Sequence, residues 1–315
     1  MKLDTADKLT HDEANCGDPL EAFIRDLLAT QALDVSCYDR EFLAKSIAKR
    51  MQTTGMGTVA DYCAHLAESR AEAEEFHRSL RIGHSAFFRN PLTFALLEQH
   101  ILPELLKERK QHSRSEIRIW SAGCAAGQEA WSIAILLDEL TRADDPPHPY
   151  RIFASDLSAQ SLAVARVGVY SAEAVGNVRL HQLDECFTRH GECFAIASRL
   201  RDQVNFSAYD LLDEDTSSPQ ASIYGDFDLI LCCNLLFYYR PCIQQRILDK
   251  LCRDLVPGGY LVTGETERKT VAARDGLCAL SAAAAVFHKN TIMSAHALPV
   301  IRTNGNSRGM KDIHP

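Results

Sequence analysis

The residues best placed for chemistry recur through the middle of the chain. They are Gly123 and Gly127 after the apolar segment at Ile117, Asp156 closing Arg151-Ile-Phe-Ala-Ser-Asp156, Asp210 after Gln203-Val-Asn-Phe-Ser207, and Asn234 and Tyr238 after Phe227-Asp-Leu-Ile-Leu-Cys-Cys. Each follows a short apolar stretch of strand character. In an open sheet all of them fall outside the carboxyl ends of the strands, where such sheets bind ligands. The glycines permit a tight turn and close approach of a ligand to the backbone. An acid closing the second strand can accept hydrogen bonds from both hydroxyls of a ribose. Plainer duties stay open for several of them. A Gly-x-x-x-Gly turn also serves as a simple strand-to-helix connection, and Asp156 or Ser158 suits a helix N-cap. Glu129 alone reads as a solvated residue of a first helical turn, and Tyr238 as a ring capping the core with its hydroxyl in water.

The turn Gly123-Cys-Ala-Ala-Gly127 narrows the ligand. It has neither the Gly-Lys-Ser/Thr of a P-loop nor the Gly-x-Gly-x-x-Gly dinucleotide pattern. That favours an adenosine ligand without a pyrophosphate, with S-adenosylmethionine as the candidate.

The elements that must hold these residues alternate in period. After the strand at Ile117 to Ile119, helical spacing runs from Ala130 to Leu137; after Asp156 it runs from Ser158 to Val167. Leu255 to Gly264 reads as a turn and a further strand, and Ala283 to Lys289 as the last one. The pattern predicts an α/β fold, doubly wound, with a mostly parallel sheet. Ahead of it, residues 18–82 read as a small helical domain. Helices are expected over Leu20 to Leu28, Asp39 to Met51, Val59 to Leu66 and Ala71 to Leu80, with a break at Gly55-Met-Gly57. Between Tyr170 and Arg201 the alternation is interrupted by a hairpin pattern around Gly191. The expected plan is residues 1–17 flexible, 18–82 helical, 83–290 ligand-binding with an insertion at 170–202, and 291–315 a tail.

The chain has 315 residues, 46% of them hydrophobic, and a formal net charge of −8. This is enough apolar content for one α/β core and a small domain. The acidic balance disfavours extended nucleic-acid binding. No apolar segment near Met1 resembles a signal peptide, and the run from Leu229 to Tyr239 is too short to span a bilayer, so a cytoplasmic monomer is expected. Eleven scattered cysteines without Cys-x-x-Cys suggest reduced packing residues and no metal. The adjacent Cys232 and Cys233 invite a redox-sensitive site as a second reading.

Taken together, several segments resemble the chemotaxis receptor glutamate O-methyltransferases of the CheR type. They are Ser85-Ala-Phe-Phe-Arg89, Ile119 to Ser132, Ala154-Ser-Asp156, Cys232-Cys-Asn-Leu-Leu-Phe-Tyr-Tyr239 and Pro257-Gly-Gly259, in that family's order and approximate spacing. The resemblance runs from about Tyr38 to about Lys289. It implies an S-adenosylmethionine-dependent enzyme that esterifies glutamate side chains on chemoreceptors or related signalling receptors. It further implies that Ser85, Arg89, Gly123, Glu129, Asp156, Asp210, Leu211, Cys233 and Asn234 contact the cofactor, and that Arg89 and Tyr238 act in catalysis. Phe87 and Phe88 read as core or linker packing. The cationic residues Arg40, Lys45, Lys49 and Arg50 would dock on the acidic methylation helices of the receptor; a solvated helix face is the plain alternative. The insertion would be a three-stranded antiparallel β-subdomain, which in some members binds a receptor C-terminal peptide by strand addition; an insertion lidding the pocket is the other reading.

The sequence departs from that family's pattern at Cys233, where the family has Arg, at Gln128, at Ala125-Ala126, and at Gly264-Glu-Thr-Glu267 in place of Gly-His-Ser-Glu. Loss of a guanidinium matters if it held a carboxylate and little if only backbone was used. A methyltransferase of another substrate class, or a cofactor-binding adaptor without catalysis, are the competing functions. The chemistry implied needs no strong base, because a glutamate of pKa about 4.3 is already ionised at neutral pH. Alignment and exclusion of water are what remain for the protein to supply.

Overall fold

A computed structural model describes residues 18–81, 83–111, 116–216, 218–222 and 225–290. The expectations for 1–17 and 291–315 lie outside the described residues. Four helices open the chain: α1 (Pro19–Gln31), α2 (Arg40–Thr54), α3 (Val59–Glu68) and α4 (Arg70–Ser79). Each starts on a side chain that accepts first-turn amides, supplied in turn by Asp18, Asp39, Thr58 and Ser69. Helix α2 stops where Gly55 takes φ 73°, a left-handed geometry that glycine adopts at least cost. Their apolar faces meet around Phe23, Ile47, Tyr62 and Phe76, all fully buried.

Helix α5 (Pro91–Leu96) passes through a π-helical turn, Leu97–Ile101, into α6 (Leu102–Gln111). Then come β1 (Ile117–Ala122), α7 (Gln128–Thr141), β2 (Tyr150–Asp156), α8 (Ala159–Val167), β3 (Val169–Ser171), α9 (Leu180–Cys186), β4 (Phe187–His190), β5 (Cys193–Ile196), α10 (Ser198–Arg201) and β6 (Val204–Ala208). The chain continues with β7 (Phe227–Cys232), α11 (Pro241–Asp254), β8 (Leu255–Thr263), α12 (Arg268–Ala272), β9 (Leu277–Ala279) and β10 (Val286–Lys289).

The main sheet has the order β6-β2-β1-β7-β8-β10-β9. The first five strands are parallel, and β10 is antiparallel to both β8 and β9. This is the mostly parallel, doubly wound sheet that the alternation predicts; the short strand β9 is an addition to it. Strands β1 and β7 read as near-continuous apolar runs because both faces of a central parallel strand are covered. From β1 the chain builds outward through β2 to β6, then returns to the other side of β1 with β7. The reversal between β1 and β7 is where an open sheet leaves a crevice at its carboxyl edge. The insertion is a separate three-stranded antiparallel sheet, β3-β5-β4, whose β4–β5 hairpin turns at Gly191 with φ 62°.

Candidate functional site

A cleft of about 630 Å³, partly open to solvent, sits at that crevice. Gly123 follows β1, Asp156 closes β2, Tyr209 and Leu211 follow β6, and Leu235, Tyr238 and Tyr239 follow β7. The helical domain supplies the opposite wall through Tyr38, Leu80 and Arg81. Gly123 has φ 75°, and a Cβ there would stand 3.1 Å from the Leu235 side chain, so glycine keeps this wall of the cleft open. Gly127 does a different job. A Cβ at that position would meet Ala165 at 2.8 Å and Phe206 at 3.1 Å, which makes it a close-packing glycine between helix and sheet and not a ligand contact.

Asp156 ties the turn together. Its Oδ2 accepts from the Ala125 amide at 2.9 Å and its Oδ1 from the Ser158 amide at 2.7 Å. The N-cap of α8 is Ser158, whose hydroxyl accepts from Ser161. Each carboxylate oxygen of Asp156 has a second lone pair to offer. Glu129 is not the solvated first-turn residue its position suggests. It accepts from Ser121 Oγ at 2.7 Å, burial raises its pKa above the ordinary value, and hydrogen bonds from Ser121 and the Cys233 thiol oppose that shift.

Arg89 and Tyr238 come from distant segments; Arg89 Nη1 donates to the His84 carbonyl at 3.1 Å, and Tyr238 lines the cleft. Burial raises the Tyr238 phenol and the Arg89 charge opposes the rise; the same guanidinium acts on Glu129. Arg89 is presented by a strained turn in which Phe88 has φ 49°, unusual for a bulky residue. The turn is held by the Phe88 amide on Ser132 Oγ at 3.0 Å and by Asn177 Nδ2 on the Phe87 carbonyl at 3.2 Å. Phe87 is buried against the rings of Tyr170 and Phe187, and Phe88 packs on Phe94, which is the packing role expected of them.

Nothing in the sequence singles out Glu267, the matching last residue of a tetrapeptide that departs from the family's pattern at Glu265 and Thr266. It is 2% exposed and organises the whole loop after β7. Its carboxylate accepts from the amides of Asn234 (3.0 Å), Leu235 (2.7 Å), Leu236 (2.7 Å) and Gly264 (2.6 Å). Asn234, held by this pin, takes φ 59° and keeps a buried Oδ1 without a hydrogen-bond partner among the described residues. The four amides hold in place a loop that carries both Asn234 and Tyr238.

This arrangement can be set beside known proteins. The family model described as CheR methyltransferase, SAM binding domain, matches residues 83–280, and that described as CheR methyltransferase, all-alpha domain, matches residues 18–80. The chain belongs to the CheR methyltransferase family. It is 31% identical over 238 residues to the chemotaxis protein methyltransferase of Escherichia coli, covering 73% of this chain and 77% of that one. To chemotaxis protein methyltransferase 1 of Pseudomonas aeruginosa it is 30% identical over 235 residues, covering 73% and 82%. An uncharacterised 104.1 kDa protein of Rhodobacter capsulatus is 30% identical over 239 residues, but this chain spans only 24% of its length.

S-adenosylmethionine is the cofactor of this CheR-family chain, and the residues present fit it. The cleft has a glycine wall at Gly123, apolar flanks at Leu211 and Leu235, an acid with spare acceptor capacity at Asp156, and the phenol of Tyr238. Position 233, where the resemblance implies Arg, carries a thiol that donates to the Val262 carbonyl at 3.9 Å, so no guanidinium is supplied from this position. Burial pushes the thiols of Cys232 and Cys233 well above the ordinary value. That disfavours the reactive thiolate on which a redox-sensitive pair depends.

Other expected contacts are placed less directly. Asp210 turns one oxygen back to the Leu212 amide at 2.8 Å, leaving its neighbours Tyr209 and Leu211 to line the cleft. Ser85 is half-buried in the segment between the domains. Of the docking residues on α2, Lys45 and Lys49 are exposed. Arg40 pairs with Asp18 and Glu21. Arg50 is turned inward onto Glu72 through two hydrogen bonds of 3.0 and 2.6 Å, with Tyr62 donating to the same carboxylate at 2.8 Å.

Proposed function

We propose that this protein transfers the methyl group of S-adenosylmethionine to glutamate carboxylates on the cytoplasmic methylation helices of chemoreceptors, forming methyl esters for sensory adaptation. The observation that supports it best is the loop after β7, pinned by Glu267 through backbone amides so that Tyr238 lines the cleft, on an enzyme that needs no general base. The cofactor supplies a methyl group on a sulfonium centre. Asp156, with its spare lone pairs, would hold the ribose hydroxyls between the apolar flanks of Leu211 and Leu235, and Glu129 and Asn234 would serve the polar amino-acid end.

The acceptor glutamate arrives ionised. The Tyr238 phenol, protonated at neutral pH at its ordinary pKa of about 10, donates its O–H to one carboxylate oxygen while Arg89 attracts the charge, leaving the other oxygen to attack in line. Closure of the substrate helix over the cleft removes water that would favour the separated charges over the neutral products. Lys45 and Lys49 face the acidic receptor helix. Strand β4 of the small sheet pairs on one side only, with β5, and its outer edge suits a receptor C-terminal peptide added as a strand.

The test is transfer of labelled methyl to receptor-containing membranes of the same organism, followed by mild alkali. Label on a receptor-sized band released as methanol is the expected result, and Tyr238→Phe lowers kcat with cofactor affinity unchanged. Label that resists alkali points to a methyltransferase of another substrate class. Cofactor binding without any transfer points to the adaptor reading.

A further inference from the structure

The hydroxyl of Tyr238 has no hydrogen-bond partner among the described residues, so the ring is oriented by what packs against it. Two aromatic rings do so. Phe237, itself 39% exposed, lies 4.2 Å away. Phe42, from the first turn of α2, lies 4.8 Å away at 56°. Phe237 is the chain neighbour of Tyr238 and moves with it; Phe42 belongs to the other domain.

The backbone of Tyr238 is tied to the same turn. Its carbonyl accepts from the Asp39 amide at 2.8 Å, and the Arg240 amide donates to the Cys37 carbonyl at 2.9 Å. This makes a two-stranded bridge at Tyr38 and Tyr239, whose rings stack 5.4 Å apart at 13°. Asp39 is also the N-cap of α2, accepting from the amides of Glu41 and Phe42. One short segment therefore starts α2, clamps the loop after β7, and sets a ring against Tyr238. Lys45 and Lys49 lie one and two turns further along that helix.

We propose that Phe42 is a positioning residue for Tyr238, through which the helix that receives the substrate fixes the orientation of the reacting phenol. The proposal rests on the methyl-transfer reading above for its functional meaning, and on the packing alone for its structural content. Phe42 also packs on Tyr38 of the helical wall, at 5.7 Å between ring centroids, so truncating it frees the Tyr238 ring while the sheet-side wall at Gly123, Asp156 and Leu211 stays in place.

The structural part is tested on the protein alone, by placing 3-fluorotyrosine at position 238 and recording its fluorine resonance. Phe42→Ala is expected to shift or broaden that resonance, and Phe42→Tyr to leave it in place. The functional part is read on labelled transfer to receptor membranes. Phe42→Ala is expected to lower kcat by roughly three- to tenfold, as loss of an aromatic pair would allow. KM for the membranes and cofactor affinity stay unchanged, Phe42→Tyr restores turnover, and Phe42→Ala adds no further loss in a Tyr238→Phe background. An unmoved resonance, a rise in KM at unchanged kcat, or losses that multiply in the double variant would overturn the proposal. Should Phe42→Ala lose its helical circular dichroism, Phe42→Leu keeps the apolar volume without the ring and is read in the same way. If the wild-type chain transfers no methyl group, the proposed function fails while the fluorine resonance still decides the positioning.

Discussion

At the scale of single residues the site depends on carboxylates used in opposite ways. Asp156 lines the cleft and keeps acceptor capacity there, whereas Glu267 gives all of its own to backbone amides. Four N–H groups from two separate loops converge on Glu267 in a buried position. Removing a partner from a buried donor costs about 1–3 kcal/mol for each group left without one, less what rearrangement recovers. Glu267→Ala is therefore expected to destabilise the chain by about 3 kcal/mol or more, seen as a lower thermal midpoint. It should weaken cofactor binding in the fraction that folds, because Asn234 and Leu235 lose their fixed position. Glu267→Gln retains one carbonyl acceptor and should fall between the two. A Glu267→Ala protein that melts with the wild type would show that the loop is held by its packing and not by this carboxylate.

At the scale of elements, much of the design can be read from the chain. Strands β1, β2, β6 and β7, helices α1 to α4 with their capping Asp, Thr and Ser residues, and the turn at Gly191 follow from apolar period and turn chemistry. The acids and amides closing the strands follow from the topology rule for open sheets. What escapes such reading are contacts between distant segments. Glu129 carries the letter of a solvated helix start, and only the packing of α7 against β1 gives it Ser121 as a partner. Nothing in Glu267 announces amides 31 to 33 residues earlier, and nothing in Arg50 announces Glu72 on another helix. Helix α11 ends in a similar tertiary effect. Asp254 is buried with an unpartnered Oδ2 at a helix carboxyl end, where negative charge is unfavourable. Burial raises its pKa to about 6, above an unfolded value of about 3.9. With the folded pKa raised, the stability this group contributes is fully present below about pH 4 and is lost as pH rises through about 6. Asp254→Asn, which imitates the protonated acid, should thus match the wild type near pH 4 and exceed it above pH 6. With solvent screening allowed for, the gain is about 1 kcal/mol. Denaturant melts across that range test it, and equal stability at neutral pH would place the carboxylate in a solvated setting.

At the scale of the whole molecule, the proposed function would bring a chain of net charge −8 to an acidic receptor helix. Cations concentrated on one element, α2, resolve this only if they are free to meet a partner. Their letters are alike but their surroundings are not. Arg50 and Glu72 have side chains only 15% and 10% exposed, and Tyr62 shares the carboxylate. Arg40 joins Asp18 and Glu21, and Glu21 in turn meets Arg240 from the catalytic domain, so this charge helps to fasten the two domains. Lys45 has Glu41 beside it on the exposed face, and Lys49 has no ion-pair partner among the described residues. The four cations should accordingly separate by phenotype. Arg50→Ala leaves the Glu72 carboxylate buried without its guanidinium and should cost about 3–5 kcal/mol, read as a lower thermal midpoint whether or not receptor is present. Lys49→Glu should leave the melt unchanged. It should raise KM for receptor membranes by roughly tenfold at low salt, with kcat preserved, and the difference should shrink as salt screens the surface. The reverse pattern, in which Lys49→Glu transfers methyl groups normally while Arg50→Ala remains fully stable with a raised KM, would move the receptor contact to the other face of α2 and would require the Arg50–Glu72 pair to open on binding.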